Sequence, residues 1–101
     1  ARGDLGQAYP LWELPVVQKK IAVACCRKQI PFMVVTQMLQ SMIKNPVPTR
    51  AEVMDIYNAV ADGAASLMLT GETAVGEYPE EAMAYLVKTA EAAGKYLYGN
   101  P

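Results

Sequence analysis

Apolar residues along the chain recur with a helical period in one long segment near the start. The first apolar stripe repeats at i, i+4, i+7 and i+8 and comprises Val17, Ile21, Ala24 and Cys25. This spacing is that of one face of an α-helix. The pattern predicts an amphipathic helix over about 13–28, which Pro31 terminates.

Two short runs predict strands. The run 32–35 is continuously apolar and contains β-branched and aromatic residues, which is typical of a strand that is covered on both faces. The run 66–69 is the next short strand candidate. Polar residues follow each run at once, at 36–37 and at 70–73. The glycine-bearing segment 1–6 predicts a polar turn before the first helix.

Two further helices have marked ends. Thr49 and Glu52 have the spacing of a capping box, so a helix begins after Thr49 and Gly63 is a plausible residue just beyond its end. Its predicted apolar face comprises Val53, Ile56, Tyr57 and Val60. The last helix is predicted over 79–96, with Pro79 first and two acidic residues following, as the helix dipole favours. Its core-facing residues are predicted to be Met83, Leu86, Val87 and Ala90. One or two helical turns are expected over 38–43.

The alternation of helices and strands predicts an α/β fold with a parallel sheet. The polar groups at Asp4, Thr36 and Thr70 follow one another at intervals of 32 and 34 residues. A (β/α)₈ barrel has roughly 31 residues in each βα unit. The spacing therefore favours part of a TIM barrel, although doubly wound sheets have similar repeats.

Composition narrows the class of protein. The chain has 101 residues, 52% of them hydrophobic, and a net charge of −1. These values exclude a disordered chain and argue against nucleic-acid and membrane partners. The adjacent pair Cys25 and Cys26 is a poor disulfide, so a reducing, cytosolic setting is expected. Because the chain has no His, Ser-His and Cys-His nucleophiles are excluded.

The polar residues after the strands are the candidates for chemistry, because the carboxyl ends of parallel strands meet on one face. Asp4 could hold a divalent cation beside an anion-binding turn, and the Thr36 hydroxyl could line a pocket. Glu72 could contact a metal or an arginine, or be a solvated turn residue. The alternative for all of them is that they cap helices and form turns. Arg2-Gly3-Asp4 is also an integrin-ligand tripeptide, which the cysteine content opposes.

Several longer blocks resemble the pyruvate kinase family. They occur in that family's order and spacing: Ala1 to Gly6, Thr36 to Leu39, Ser41 to Ile43, Pro48 to Glu52, Asn58 to Val60, Asp62 to Gly63 and Gly71 to Ala74. The resemblance runs from Ala1 to about Ala93. It implies that residues 1–101 are a partial catalytic barrel domain, from the end of the sixth strand through the eighth helix, without a second domain.

The resemblance also implies an activity, which is phosphoryl transfer from phosphoenolpyruvate to ADP in glycolysis. Mg²⁺ or Mn²⁺, together with K⁺, would be the cofactors, and a cytoplasmic homotetramer would be the assembly. Asp4 resembles the metal ligand, and the backbone N–H groups of Gly3 and Asp4 resemble those that bind the substrate carboxylate. Thr36 resembles the catalytic threonine beside the methylene carbon of the substrate. The segment 70–73 resembles a loop at the rim of the active site.

The chain departs from the family in two places and lacks much of its site. Residues 7–9 lack an acidic residue that the family commonly has, and Thr70 stands where Ser is frequent. The family's transition-state lysine, second metal carboxylate, K⁺ ligands and phosphate-binding arginine lie upstream of Ala1, so the start of the chain resembles a cut. We therefore expect the chain alone to be inactive. An incomplete barrel exposes apolar faces, so it is expected to associate with itself or with the rest of the barrel, and a purely structural, self-associating fragment is the alternative.

Overall fold

The computed structural model describes the backbone of residues 2–99, and the side chains of Arg2 and of residues 5–99. Within this range the helices and strands follow the predicted alternation. In chain order they are α1 (Arg2–Ala8), α2 (Leu14–Arg27), β1 (Met33–Val35), α3 (Arg50–Ala61), β2 (Ser66–Met68), α4 (Gly71–Ala74) and α5 (Pro79–Tyr98). Two 3₁₀ turns lie at Leu11–Glu13 and Gln40–Ile43, the second of them within the segment where helical turns were expected.

The two strands pair in parallel, as the sequence predicted. Val34 on β1 lies opposite Leu67 on β2. The ladder extends by one bond, because the amide of Ala65 donates to the carbonyl of Phe32 at 2.8 Å. The loops that follow β1 and β2 therefore leave the same edge of the sheet. This confirms the α/β class and places both polar segments at the carboxyl ends of neighbouring strands.

Helix ends follow the local sequence closely. The capping box is present at α3, where the amide of Glu52 donates to Thr49 Oγ1 at 3.2 Å and the amide of Thr49 donates to Glu52 Oε1 at 2.8 Å. At the other end, Gly63 has a φ of 92° and donates to the carbonyl of Val60, which is a Schellman ending. A Cβ on Gly63 would meet Cys26 Sγ at 2.7 Å, so space as well as φ favours glycine here.

The core lies between the sheet and the α3 and α5 helices. Its fully buried side chains include Met38, Leu39, Met42 and Ile56, and Ala59 of α3 belongs to the same cluster as Ala82 and Leu86 of α5. The residues from the turn after β1 supply three of the largest of these side chains. The loop that carries Thr36 is therefore anchored to the core immediately after it.

The first six residues were predicted as a polar turn, and this prediction was wrong for the described residues. Arg2–Ala8 is an α-helix, and the amide of Tyr9 donates to the carbonyl of Leu5 at 3.1 Å just beyond it. Leu5 lines a small cavity together with Ile21 of α2 and Phe32, and α1 contacts α2. Tertiary packing outweighs the low helix propensity of the two glycines.

Several residues that were predicted to lie in the core are exposed. Met83 and Val87, both predicted to face the core from the last helix, are 45% and 46% exposed. Ile21, which belongs to the predicted apolar stripe, is also exposed, as are Met33 and Met68 on the strands. The prediction that β1 is covered on both faces was wrong, because only Val34 is buried within it, and β2 has no buried residue. These faces lie where the described part of the chain supplies no second layer.

No helix in residues 2–99 is both long enough and apolar enough to cross a membrane.

Candidate functional site

The side chain of Arg2 joins three segments at the carboxyl edge of the sheet. Its Nη1 lies 2.8 Å from both Oδ1 and Oδ2 of Asp55 on α3. Its Nε donates to the carbonyl of Val35 at 3.3 Å, and its Nη2 donates to the carbonyl of Thr36. Hydrogen bonds from a charged donor are stronger than neutral ones. We call this set of contacts the Arg2 clamp; it holds the start of α1 and the middle of α3 against the end of β1.

The backbone at Thr36 adopts an uncommon conformation. Thr36 has a φ of 88°, and Gln37 after it has a φ of 58°. Positive φ is a genuine outlier for a β-branched residue, and such a conformation costs on the order of 1–3 kcal/mol. It persists where surrounding contacts hold it. The Arg2 clamp on the Thr36 carbonyl is one such contact, and the burial of Met38 immediately downstream is another.

An open cavity of about 970 Å³ lies beside the clamp. It extends between α1, α2 and α3, and Arg2, Gly6, Thr36, Gln37 and Asp55 are among the residues that line it. Binding sites of α/β proteins occur at this edge of the sheet. Thr36, which the sequence singled out, therefore borders the cavity in which that rule expects a ligand.

Glu72 departs most from its expected environment. The interpretation as a solvated turn residue was wrong, because Glu72 is fully buried at the start of α4. Its Oε2 accepts a hydrogen bond from the amide of Leu39 at 2.8 Å, and its Oε1 accepts one from the amide of Thr70 at 3.0 Å. A single carboxylate thus links the loop after β1 to the loop after β2. It contacts backbone amides and makes no ion pair with the described residues.

The other predicted site residues are placed as follows. Gly3 and Asp4 lie in the first turn of α1, and the Asp4 side chain lies outside the described residues, so its predicted role as a metal ligand stays a prediction. Thr70 and Thr73 follow β2, and Thr73 Oγ1 donates to the Thr70 carbonyl at 3.2 Å. Within the described residues, no group of three or more His, Cys, Asp or Glu side chains is arranged to hold a metal ion.

Glu52 does more than cap α3. Its Oε2 accepts from the amide of Ser41, and its Oε1 accepts from the Ser41 hydroxyl and from the amide of Thr49. Partial burial favours a higher pKa, but the hydrogen bonds from Ser41 and Thr49 together outweigh it, so the pKa of Glu52 lies below its ordinary value of 4.5. The ionised carboxylate therefore joins the 3₁₀ turn after β1 to the start of α3.

Sequence reasoning missed three of these roles. Arg2 was noted only as part of a tripeptide, Asp55 was not noted at all, and Glu72 was given the wrong environment. Arg2 and Asp55 are 53 positions apart, and Glu72 and Leu39 are 33 apart. No local pattern reports such pairs. The one available signal was positional, because parallel strands bring the segments after them to one edge.

The known proteins that this chain resembles all belong to one family. The family described as pyruvate kinase, barrel domain, matches residues 1–83. A pyruvate kinase of Thermotoga maritima is 55% identical over 97 residues, which are 96% of this chain and 21% of that protein. A pyruvate kinase of Aeropyrum pernix is 46% identical over all 101 residues and 22% of its own length.

A solved structure has a fold closely similar to that of this chain. A crystal structure of a pyruvate kinase from Cryptosporidium parvum superimposes with a TM-score of 0.91 at 43% sequence identity, and the match covers 94% of this chain and 19% of that chain. The chain therefore spans about a fifth of the length of the proteins it matches.

Proposed function

This chain belongs to the pyruvate kinase family, and from that membership we propose that it forms part of the catalytic barrel of an enzyme that transfers a phosphoryl group from phosphoenolpyruvate to ADP, giving pyruvate and ATP. The proposed segment runs from the end of the sixth barrel strand through the eighth helix. The proposed location of the enzyme is the cytoplasm. The family match carries the proposal. The position of Thr36 beside the cavity at the carboxyl edge of a parallel sheet supports it.

The proposed roles of the site residues come from the family's motifs. The backbone N–H groups of Gly3 and Asp4 bind the carboxylate of the substrate, and the Asp4 carboxylate is a ligand of Mg²⁺ or Mn²⁺. Thr36 lies beside the methylene carbon, and its hydroxyl relays a proton from water to that carbon, so the proton that it gives up is replaced by one from water. Phosphoryl transfer depends mainly on positioning and on stabilising charge, so these few groups contribute by being held in place.

The described residues do not supply a complete metal site. The carboxylate of Asp55 is engaged by Arg2, and that of Glu72 is engaged by two backbone amides. Asp4 would be the contribution of this chain, and Mg²⁺ bound through one carboxylate needs further oxygen ligands. The other ligands of Mg²⁺ and those of K⁺ would come from outside this chain. The isolated chain is therefore expected to be inactive.

Exposed apolar side chains support the proposal that the chain has a partner. Leu11 and Trp12 are 76% and 81% exposed, and both strands lack a second covering layer in the described residues. The proposed partner is the rest of the barrel, within a homotetramer. The alternative is that the isolated chain acts only as a self-associating module.

The test uses the chain complemented with the upstream part of the barrel, with phosphoenolpyruvate, ADP, Mg²⁺ and K⁺ present. Pyruvate formation is expected in the complex and is expected to be absent from the chain alone. Asp4→Ala should abolish it, whereas the matched control Glu80→Ala, at an exposed carboxylate on α5, should not change it. Full activity of the Asp4→Ala complex would contradict the metal-ligand assignment.

Thr36 is tested by two substitutions in the same complex. Thr36→Val removes the hydroxyl at nearly constant volume and should lower the rate at which the pyruvate methyl group exchanges its protons with D₂O. Thr36→Ser keeps the hydroxyl and should retain most of that exchange. Equal exchange rates in the Val variant and the unmodified protein would overturn the role of Thr36.

A further inference from the structure

We infer that Arg2 is a positioning residue that sets the orientation of Thr36 for proton transfer, and that Asp55 holds Arg2 in place for this task. The inference rests on the function proposed above, in which the Thr36 hydroxyl acts at the methylene carbon. Arg2 and Asp55 act through the Arg2 clamp and do not contact the substrate.

The guanidinium of Arg2 is committed to the protein. Its Nε and Nη2 donate to successive carbonyls at the end of β1, and its Nη1 lies between both oxygens of Asp55 at 2.8 Å. The two side chains are 23% and 27% exposed, so the pair is shielded from water over most of its surface. A guanidinium arranged in this way has little donor capacity left for a phosphate group. Its proposed function is therefore to fix the positions of the Val35 and Thr36 carbonyls.

The hydrogen bonds of Arg2 act on Thr36, the residue proposed to relay the proton. The second carbonyl held by Arg2 belongs to Thr36 itself, whose φ of 88° is unfavourable for a β-branched residue. Loss of the guanidinium would leave the Val35 and Thr36 carbonyls without this donor and would let the backbone relax towards negative φ. The Cα–Cβ bond of Thr36 turns with that backbone, so the hydroxyl would leave its position.

The clamp also sets a spacing between two parts of the site. Arg2 directly precedes Gly3 and Asp4 in α1, while its side chain reaches the end of β1. One residue thus fixes the segment proposed to bind the substrate carboxylate relative to the segment proposed to deliver the proton. Misplacement by about 1 Å can lower a rate on the order of 10²-fold.

The test is made in the complete enzyme that contains this segment. Arg2→Lys keeps the charge but loses the planar fork, and Asp55→Asn leaves Arg2 in place without its anionic partner. Both are expected to lower the exchange of pyruvate methyl protons with D₂O, the first by about tenfold or more, with the KM for phosphoenolpyruvate changed by less than about twofold. Arg27→Lys is the matched control, because Arg27 is an exposed residue at the end of α2 that does not line the cavity beside the clamp, and its replacement should change neither quantity.

A double variant separates positioning from a general structural effect. If Arg2 acts through Thr36, the variant carrying both Arg2→Lys and Thr36→Val should exchange no more slowly than Thr36→Val alone. Multiplied losses in the double variant, or normal exchange in the Arg2→Lys enzyme, would overturn the inference. If the Arg2 variants do not fold, Asp55→Asn decides, and an unchanged exchange rate there overturns it equally. Normal exchange in Thr36→Val would instead overturn the proposed role of Thr36, and the inference with it.

Discussion

At the scale of single residues, Glu72 is a fully buried carboxyl group without a cationic partner among the described residues. Two backbone amides, those of Leu39 and Thr70, donate to its two oxygens. Burying a carboxylate is expensive unless its oxygens are hydrogen-bonded. The buried carboxyl group is stabilised only while the loops after β1 and β2 keep both amides beside it. The relative position of these two loops therefore depends on the side chain of Glu72.

We predict that Glu72→Gln destabilises the chain by about 1–3 kcal/mol, because the side-chain NH₂ group would face a backbone N–H and leave one buried donor unpaired. Chemical denaturation should show this as a lower midpoint, and the amide of Leu39 should exchange faster with D₂O. Glu80→Gln, which changes an exposed carboxylate on α5, should stay within about 0.5 kcal/mol of the unmodified chain. Equal midpoints for the two variants would argue against the role of Glu72.

Roles that depend on contacts between residues near in sequence were predicted, whereas roles that depend on contacts between distant residues were not. The cap at Thr49 and the glycine at the end of α3 depend on neighbours within a few positions, and both were predicted from sequence. Thr36 was singled out by its position after a strand and by family resemblance, and its role stays a prediction. The partners Arg2 and Asp55 were not found, since their contact spans 53 positions and leaves no local periodicity.

At the scale of elements, α3 depends on Glu52, which closes the capping box and also accepts two hydrogen bonds from Ser41 in the turn after β1. The helix start and the 3₁₀ turn are therefore held by one ionised carboxylate. This link tightens the connection between β1 and α3, the elements that carry Thr36 and Asp55.

The pH dependence of stability follows from the lowered pKa of Glu52. A carboxyl whose pKa is lower in the folded chain binds a proton more readily when unfolded, so its contribution is complete above the ordinary value of 4.5 and is lost as the pH falls through the folded pKa. We predict that Glu52→Gln lowers the free energy of unfolding by about 1–3 kcal/mol near pH 7, where charge-assisted hydrogen bonds are lost.

The same substitution should flatten the acid limb of the stability curve below pH 4.5, as measured by denaturation at a series of pH values. Glu81→Gln, at an exposed position in the first turn of α5, is the matched control and should leave that limb unchanged. A Glu52→Gln curve parallel to that of the unmodified chain throughout the acid range would contradict the assignment.

Most elements could be predicted because their signals are local. The predicted helix over 13–28 is observed at Leu14–Arg27, and the last helix begins at Pro79 as predicted. The error at α1 has a physical reason, since Gly3 and Gly6 lower intrinsic helix propensity while the contact of α1 with α2 favours the helix. Burial was overestimated because apolar patterns predict a face and not what covers it.

At the scale of the whole molecule, the surface carries an apolar stripe on the outside of α2 and the turn before it. This outer stripe comprises Trp12, Val16 and Val23, all at least 50% exposed, and Lys20 lies between the two valines. Tyr96 on α5 is similarly exposed, at 79%, but lies near the far end of the chain. Exposed apolar side chains that share one side of the molecule favour association.

We predict that the isolated chain self-associates through the outer stripe and that Trp12→Glu weakens the association by more than about tenfold, since a large buried apolar side chain contributes roughly 1.5–3 kcal/mol. Sedimentation velocity over a range of micromolar concentrations measures this, and Tyr96→Glu is the control for adding a charge at an exposed aromatic position. Trp12 is the only tryptophan in the sequence, so its emission should also move to shorter wavelength as the chain associates. A folded monomer throughout that range would contradict self-association, and equal weakening by the Tyr96 variant would show that the outer stripe is not the contact surface.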